Sequence, residues 1–179
     1  MLVNGIMIPL TAFLMDKYPT RKLYIFSMAA FLIGSILAAV SPGFGILMVA
    51  RVVQAVGAGI LLPLMQFTVF TLFPVEKRGF AMGLTGIVAQ SAPAIGPTLT
   101  GLLIDFYSWR MPFYIVATIA IIVFVIGYFF VENSNQTKPA VLDKRSVVYS
   151  TFGFGLILFA FSSVSTFGIT SPVVILSFI

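Results

Sequence analysis

The 179-residue chain has no cysteine and no histidine. Those two absences exclude a disulfide framework, a Cys/His zinc site and any Ser-His or Cys-His nucleophile pair. Conventional hydrolytic catalysis is therefore not expected, and the chain reads as a non-enzyme that needs neither metal nor cofactor. A Gly-x-x-x-x-Gly-Lys-Ser/Thr loop is missing too, which removes the obvious route to ATP. Gly43-Phe44-Gly45 and Gly57-Ala58-Gly59 follow no strand of a βαβ unit and are not nucleotide loops. Charge is scarce: 8% of the residues are charged, against about 25% in soluble domains. Nor does the chain show the alternating strands of a membrane barrel, or the basic region and small-residue cleavage site of a signal peptide.

What the chain does have is hydrophobic residues, 60% of the total. A helix needs about 20 mostly apolar residues to cross a hydrocarbon core about 30 Å thick. Five uncharged runs reach that length: Leu23–Ala50, Val52–Val75, Gly79–Ile104, Met111–Val131 and Ser146–Ile179. Buried helices of a soluble core would explain any one of them, but five in succession joined by short loops argue against that. The expected fold class is all-α, a polytopic membrane helical bundle with the lipid bilayer as its first partner. A net charge of +5 would suggest nucleic acid in a soluble chain. Here all the basic residues but Arg51 lie between spans, where they encode sidedness, and no nucleic-acid partner is expected.

Helix breakers and charges divide the chain further. Met1–Met15 is apolar but short for a span and reads as the second part of a helix whose beginning is missing. The connection Asp16–Lys22 follows, Leu23–Val40 crosses, and Ser41-Pro42-Gly43-Phe44-Gly45 turns the chain. The next span runs from Ile46 to Phe73 with a kink expected at Pro63. After the connection Pro74–Gly79 a span runs to Ile104, Asp105–Arg110 turns it, and Met111–Val131 returns. Glu132–Arg145, the one long polar stretch, reads as a linker. Ser146–Phe167 crosses again, Thr170-Ser171-Pro172 breaks it, and Val173–Ile179 begins a helix that it does not complete. The expected domains are a bundle over 1–131 lacking its first helix, a linker over 132–145, and a further helix pair over 146–179 whose second member is incomplete. That makes about seven spans.

Lys17, Arg21, Lys22, Lys77, Arg78, Lys138, Lys144 and Arg145 all fall in the first, third and fifth connections. Arg110 is the only basic residue in the other two. By the positive-inside rule the three basic connections, including the linker, face the cytoplasm.

Arg51 stands alone between two charge-free stretches. Near a helix centre an Arg costs roughly 2.5–3.5 kcal/mol on insertion scales, and it is kept where it faces a polar interior, a water-filled path or a partner. Gln54, three residues on, shares its helix face, while Ala55, Ala58 and Gly59 keep that side narrow. Such a cation can lower the pKa of a nearby carboxylate or hold an anionic state, which is one way to couple proton movement to transport. The alternative is an Arg that snorkels to the outer surface, roughly six residues or about 9 Å away.

Three stretches carry a family resemblance. Leu10-Thr11-Ala12-Phe13-Leu14-Met15-Asp16-Lys17-Tyr18-Pro19-Thr20-Arg21-Lys22-Leu23 resembles the loop 2–3 signature of the major facilitator superfamily, with Ala12 where that signature prefers Gly and Pro19-Thr20 in place of Gly-Arg. The stretch Leu47 to Gly59 contains Arg51-x-x-Gln54-x-x-Gly57-x-Gly59 and resembles the fourth-helix signature of that superfamily's drug:proton antiporters. Gly83 to Gly101 contains Ala92-Pro93-Ala94-Ile95-Gly96-Pro97 and resembles the antiporter signature ending Gly-Pro-x-x-Gly-Gly, with Thr100 in place of the first final glycine. Gly86, Ala89, Pro93, Gly96 and Thr100 fall at helical spacing as a stripe of small residues, and Pro93 and Pro97 each remove an internal hydrogen bond so that the helix can bend. In order and position the three resemble the fourteen-helix drug:proton antiporters, the lincomycin-resistance type of multidrug exporter in particular, over nearly the whole chain. Ser108-Trp109-Arg110 fits that group as well.

The resemblance implies a multi-pass protein of a bacterial cell membrane that exports amphipathic drugs, driven by protons, through alternating access of two bundles. It assigns Arg51 and Gln54 to proton coupling and Asp16, Arg21 and Lys22 to a cytoplasmic gate, and makes Pro93, Gly96, Pro97 and Gly101 the motif of the bending helix. The partners it implies are the amphipathic substrate, protons, and the absent first helix and C-terminal bundle. Nineteen Phe and eight Met suit a pocket for varied apolar compounds and suit lipid contact equally. Two other readings stay open: a major facilitator importer of a small polar solute, and a truncated membrane fragment without transport activity. All five acidic residues lie at helix ends or in loops, which places the proton carrier outside the chain.

Overall fold

The computed structural model describes residues 2–133, with Tyr149 and Gly153. It contains five helices: α1 (Leu2–Lys17), α2 (Thr20–Ala39), α3 (Phe44–Leu72), α4 (Val75–Phe106) and α5 (Met111–Phe130). The described residues include no strand, and α2 to α5 are each long and apolar enough to cross a membrane. The fold class is the all-α, polytopic one that the uncharged runs predict. The linker beyond Asn133 and the segment Val173–Ile179 lie outside the described residues, as does Ser146–Phe167 apart from Tyr149 and Gly153.

The helices begin where proline allows it. Pro19 and Pro74 precede α2 and α4 in extended backbone (φ −59°, ψ 142° and φ −62°, ψ 155°), and Pro112 occupies the first turn of α5. Proline has no N–H to leave unsatisfied there, and its fixed φ suits helix entry. Inside a helix it costs one bond without ending the element in lipid, where neighbouring groups re-satisfy the backbone. Accordingly α3 continues through Pro63, and α4 through Pro93 and Pro97.

Two connections are shorter than the charges suggest. Asp16 and Lys17 belong to the last turn of α1, and Arg21 and Lys22 to the first turn of α2, so that Tyr18 and Pro19 alone join them. Glu76, Lys77 and Arg78 likewise form the first turn of α4. A charge ends a membrane-buried run, but not a helix: the helix runs on into the interface, where long cationic side chains reach water.

α2 is the hub. It packs along α3 and against α5, while α1 lies on α3. In lipid, helices gain little from hydrophobic burial against one another, so close backbone contact and interhelical hydrogen bonds hold the bundle. At Gly34 an added Cβ would come within 2.8 Å of the Ala50 carbonyl oxygen, and at Gly57 it would collide with the backbone of Ser27 and Phe31. Thr11 of α1, fully buried, shares its hydroxyl between the Met7 carbonyl at 2.6 Å and the Gly59 carbonyl of α3 at 3.4 Å. α4 contrasts with all of this. Ala81 is its one buried residue, and it touches α3 and α5 only lightly.

Candidate functional site

The polar centre of the described bundle is built on Arg51. One turn separates it from Gln54, and its Nη1 donates to Gln54 Oε1 at 3.2 Å. Gln54 is buried, and its Nε2 donates to Ser35 Oγ of α2 at 3.0 Å. Ser35 is fully buried and donates in turn to the Phe31 carbonyl at 2.8 Å. Every member of this chain thus finds its partner across or along the α2–α3 seam, as buried polar groups must. From a third helix, α5, the face of Phe113 lies 4.7 Å from the Arg51 guanidinium carbon, a cation–π contact. Arg51 and Gln54 stand together as their spacing predicts. Ser35 and Phe113 had no signal of their own in the sequence.

A second arginine closes the adjacent end of the bundle. Arg110 Nη2 donates to the carbonyl of Ser41, at the turn between α2 and α3, at 2.9 Å. Ser41 is fully buried, and its own hydroxyl bonds back to the Ala38 carbonyl at 2.9 Å. The Arg110 guanidinium also lies 5.0 Å from the centre of the Trp109 ring, and Trp109 meets Phe113 edge-on at 6.3 Å. The α2–α3 and α4–α5 turns are thereby tied together beside the ring that supports Arg51.

At the end carrying the basic connections, Arg21 faces α5. Its Nη2 donates to the Tyr128 carbonyl at 3.0 Å, its backbone N–H reaches Asn133 Oδ1 at 3.4 Å, and its guanidinium carbon lies 5.7 Å from the Tyr128 ring centre. Asp16 and Lys22 are exposed, and neither is among these partners. The three residues assigned to a gate are close in sequence, but Arg21 is engaged with the far end of α5. Beside it, α2, α3 and α5 flank a half-open cavity of about 850 Å³, lined among others by Tyr24, Met28, Phe31, Met65, Thr68 and Asn133. Its size falls within the roughly 300–1,000 Å³ of small-molecule sites.

The small-residue stripe of α4 is in place, but it faces open space. Pro93 and Gly101 are exposed, Gly96 is half-exposed, and a Cβ built at Gly86, Gly96 or Gly101 meets nothing within 4 Å among the described residues. Nor do the described residues contain a group of three His, Cys, Asp or Glu that could hold a metal.

Comparison with known proteins agrees with this architecture. The family model of the Major Facilitator Superfamily matches residues 1–179. The chain is 46% identical over 177 residues to the MFS-type transporter YcnB of Bacillus subtilis, covering 99% of this chain and 38% of that protein. It is 40% identical over 181 residues to the lincomycin resistance protein LmrB of Bacillus subtilis, and 42% identical over 180 residues to LmrB of Listeria monocytogenes. In both cases the match covers 100% of this chain and 38% of the relative. The chain thus spans little more than a third of the length of the relatives it matches.

Proposed function

The chain belongs to the Major Facilitator Superfamily, and we propose that it forms part of a transporter that exports amphipathic compounds in exchange for protons. It is a multi-pass membrane protein of bacterial type. Export by antiport is our reading of it, supported by the similarity to lincomycin resistance proteins. The observation that carries the coupling assignment is the placement of Arg51. Its charge is turned onto Gln54 and Phe113 within a span. A guanidinium held in low dielectric favours the ionised form of any carboxylate brought near it, so approach and withdrawal of that carboxylate move a proton.

In this reading Gln54 keeps Arg51 aligned, and Arg21 with Asp16 and Lys22 controls the basic end. Pro93, Gly96, Pro97 and Gly101 let α4 bend and slide against its neighbours during alternating access. The cavity beside Met28, Phe31 and Met65 offers polarisable, adaptable walls to varied apolar bodies. The test is a chimera in which this chain replaces the matching segment of LmrB from Bacillus subtilis. Lincomycin resistance that persists in the chimera and collapses with a protonophore is the expected result. A chimera present in the membrane at normal level that confers no resistance would count against the assignment.

A further inference from the structure

We propose that Ser35 and Phe113 are the positioning residues of Arg51, restraining its guanidinium from α2 and α5 against swinging outward; this rests on the coupling role given to Arg51 above. The hydrogen-bond chain can run in only one direction. Arginine has donors and no acceptor, so the Gln54 amide must turn its oxygen toward Arg51 and its NH₂ group away. That NH₂ group is buried and needs an acceptor, which Ser35 Oγ supplies at 3.0 Å while spending its own proton on the Phe31 carbonyl. Each bond thus determines the orientation of the next. Without the Ser35 hydroxyl, the amide gains by rotating to seek another acceptor, and a rotated amide opposes donor to donor at Arg51.

Phe113 acts from α5. Its ring centre lies 4.7 Å from the guanidinium carbon, an aromatic contact that restrains Arg51 independently of the hydrogen bond to Gln54. Trp109, packed edge-on against Phe113 and in contact with Arg110, holds the ring itself. Arg51 is exposed enough to swing outward, and a long cationic side chain gains hydration by doing so. The two contacts together oppose that swing. They come from α2 and α5, so any movement of those helices relative to α3 reaches Arg51 directly.

The experiment is the rate at which phenylglyoxal modifies Arg51 in membranes containing the full chain, read by mass spectrometry and normalised to half-exposed Arg78 in the same sample. Ser35→Ala and Phe113→Leu are each expected to speed modification of Arg51 by about two- to fivefold, the scale of one lost exposed cation–π contact or neutral hydrogen bond. Phe113→Tyr, which keeps the ring face, should restore the slow rate. If Ser35→Ala fails to reach the membrane, the Leu/Tyr pair at position 113 decides alone. Equal rates in the native chain, Phe113→Leu and Phe113→Tyr would overturn the proposal. Release of Arg51 in these variants without loss of resistance in the matching chimeras would leave the positioning role standing and remove the coupling role of Arg51 instead.

Discussion

Two stripes of small residues run through this bundle, and they end differently. Along α2 and α3, Gly34 and Gly57 lie so close to the facing backbone that no side chain fits, and the polar chain from Arg51 to Ser35 crosses the same seam beside Gly34. Along α4, Gly86, Gly96 and Gly101 follow the same kind of spacing and face nothing within 4 Å among the described residues. Small-residue spacing therefore marks a surface meant for close approach, but it does not identify what approaches. α2 and α3 are joined by a short turn, so each is the other's nearest candidate. α4 has α3 and α5 as sequence neighbours, and both turn their tight faces toward α2.

The largest effect should come from filling the closed stripe. Gly57→Leu must displace the Ser27 and Phe31 backbones, and overpacking costs about 1–3 kcal/mol, more where backbone has to move. The protein should be lost from membranes or unfold in mild detergent well below the native chain. Gly86→Leu is expected to leave the stability of this chain unchanged, yet to abolish resistance in the LmrB chimera if the open stripe is a working surface. Loss of stability in both variants, or in neither, would dissolve the distinction between the stripes.

An intermediate effect is expected at the Arg110 tie. Arg110→Ala removes the hydrogen bond to the Ser41 carbonyl and the contact with Trp109, a loss of about 1.5–3 kcal/mol for a charge-assisted bond. Trp109 is the only tryptophan in the chain, so its fluorescence during thermal unfolding reports the change. The smallest effect should be that of Gly86→Ala. With nothing to clash against, it replaces a helix-interior glycine by a better helix former and should be neutral or stabilising by up to about 1 kcal/mol, measurable as an unchanged or slightly raised melting temperature.

Much of this arrangement was legible in the sequence. The uncharged runs located α2 to α5, and the three-residue spacing of Arg51 and Gln54 placed both on one helix face. The helix ends were misjudged at Asp16–Lys22 and at Glu76–Arg78, because charge reports where hydrocarbon stops and the backbone keeps its hydrogen bonds beyond that point. Ser35 and Phe113 were illegible for a different reason. A serine within an apolar helix ordinarily returns its proton to its own backbone, as Ser27 does, and a phenylalanine near a helix start looks like any lipid-facing aromatic. Their significance comes from the crossing of α2, α3 and α5, which no local pattern encodes. The twin prolines of α4 were visible as a motif, but nothing in their spacing says what they face.

If Arg51 couples export to protons, its charge is required. The most direct measurement is drug-dependent proton flux in liposomes containing the LmrB chimera, with Arg51→Gln and Arg51→Lys beside the native sequence. Arg51→Gln should lower the flux by about ten- to a hundredfold, the equivalent of losing one charge-assisted interaction of about 1.5–3 kcal/mol. Arg51→Lys should retain only part of it, since a point-like ammonium cannot reproduce the guanidinium fork. Undiminished flux from Arg51→Gln would contradict the account and leave Arg51 as a structural cation stacked on Phe113.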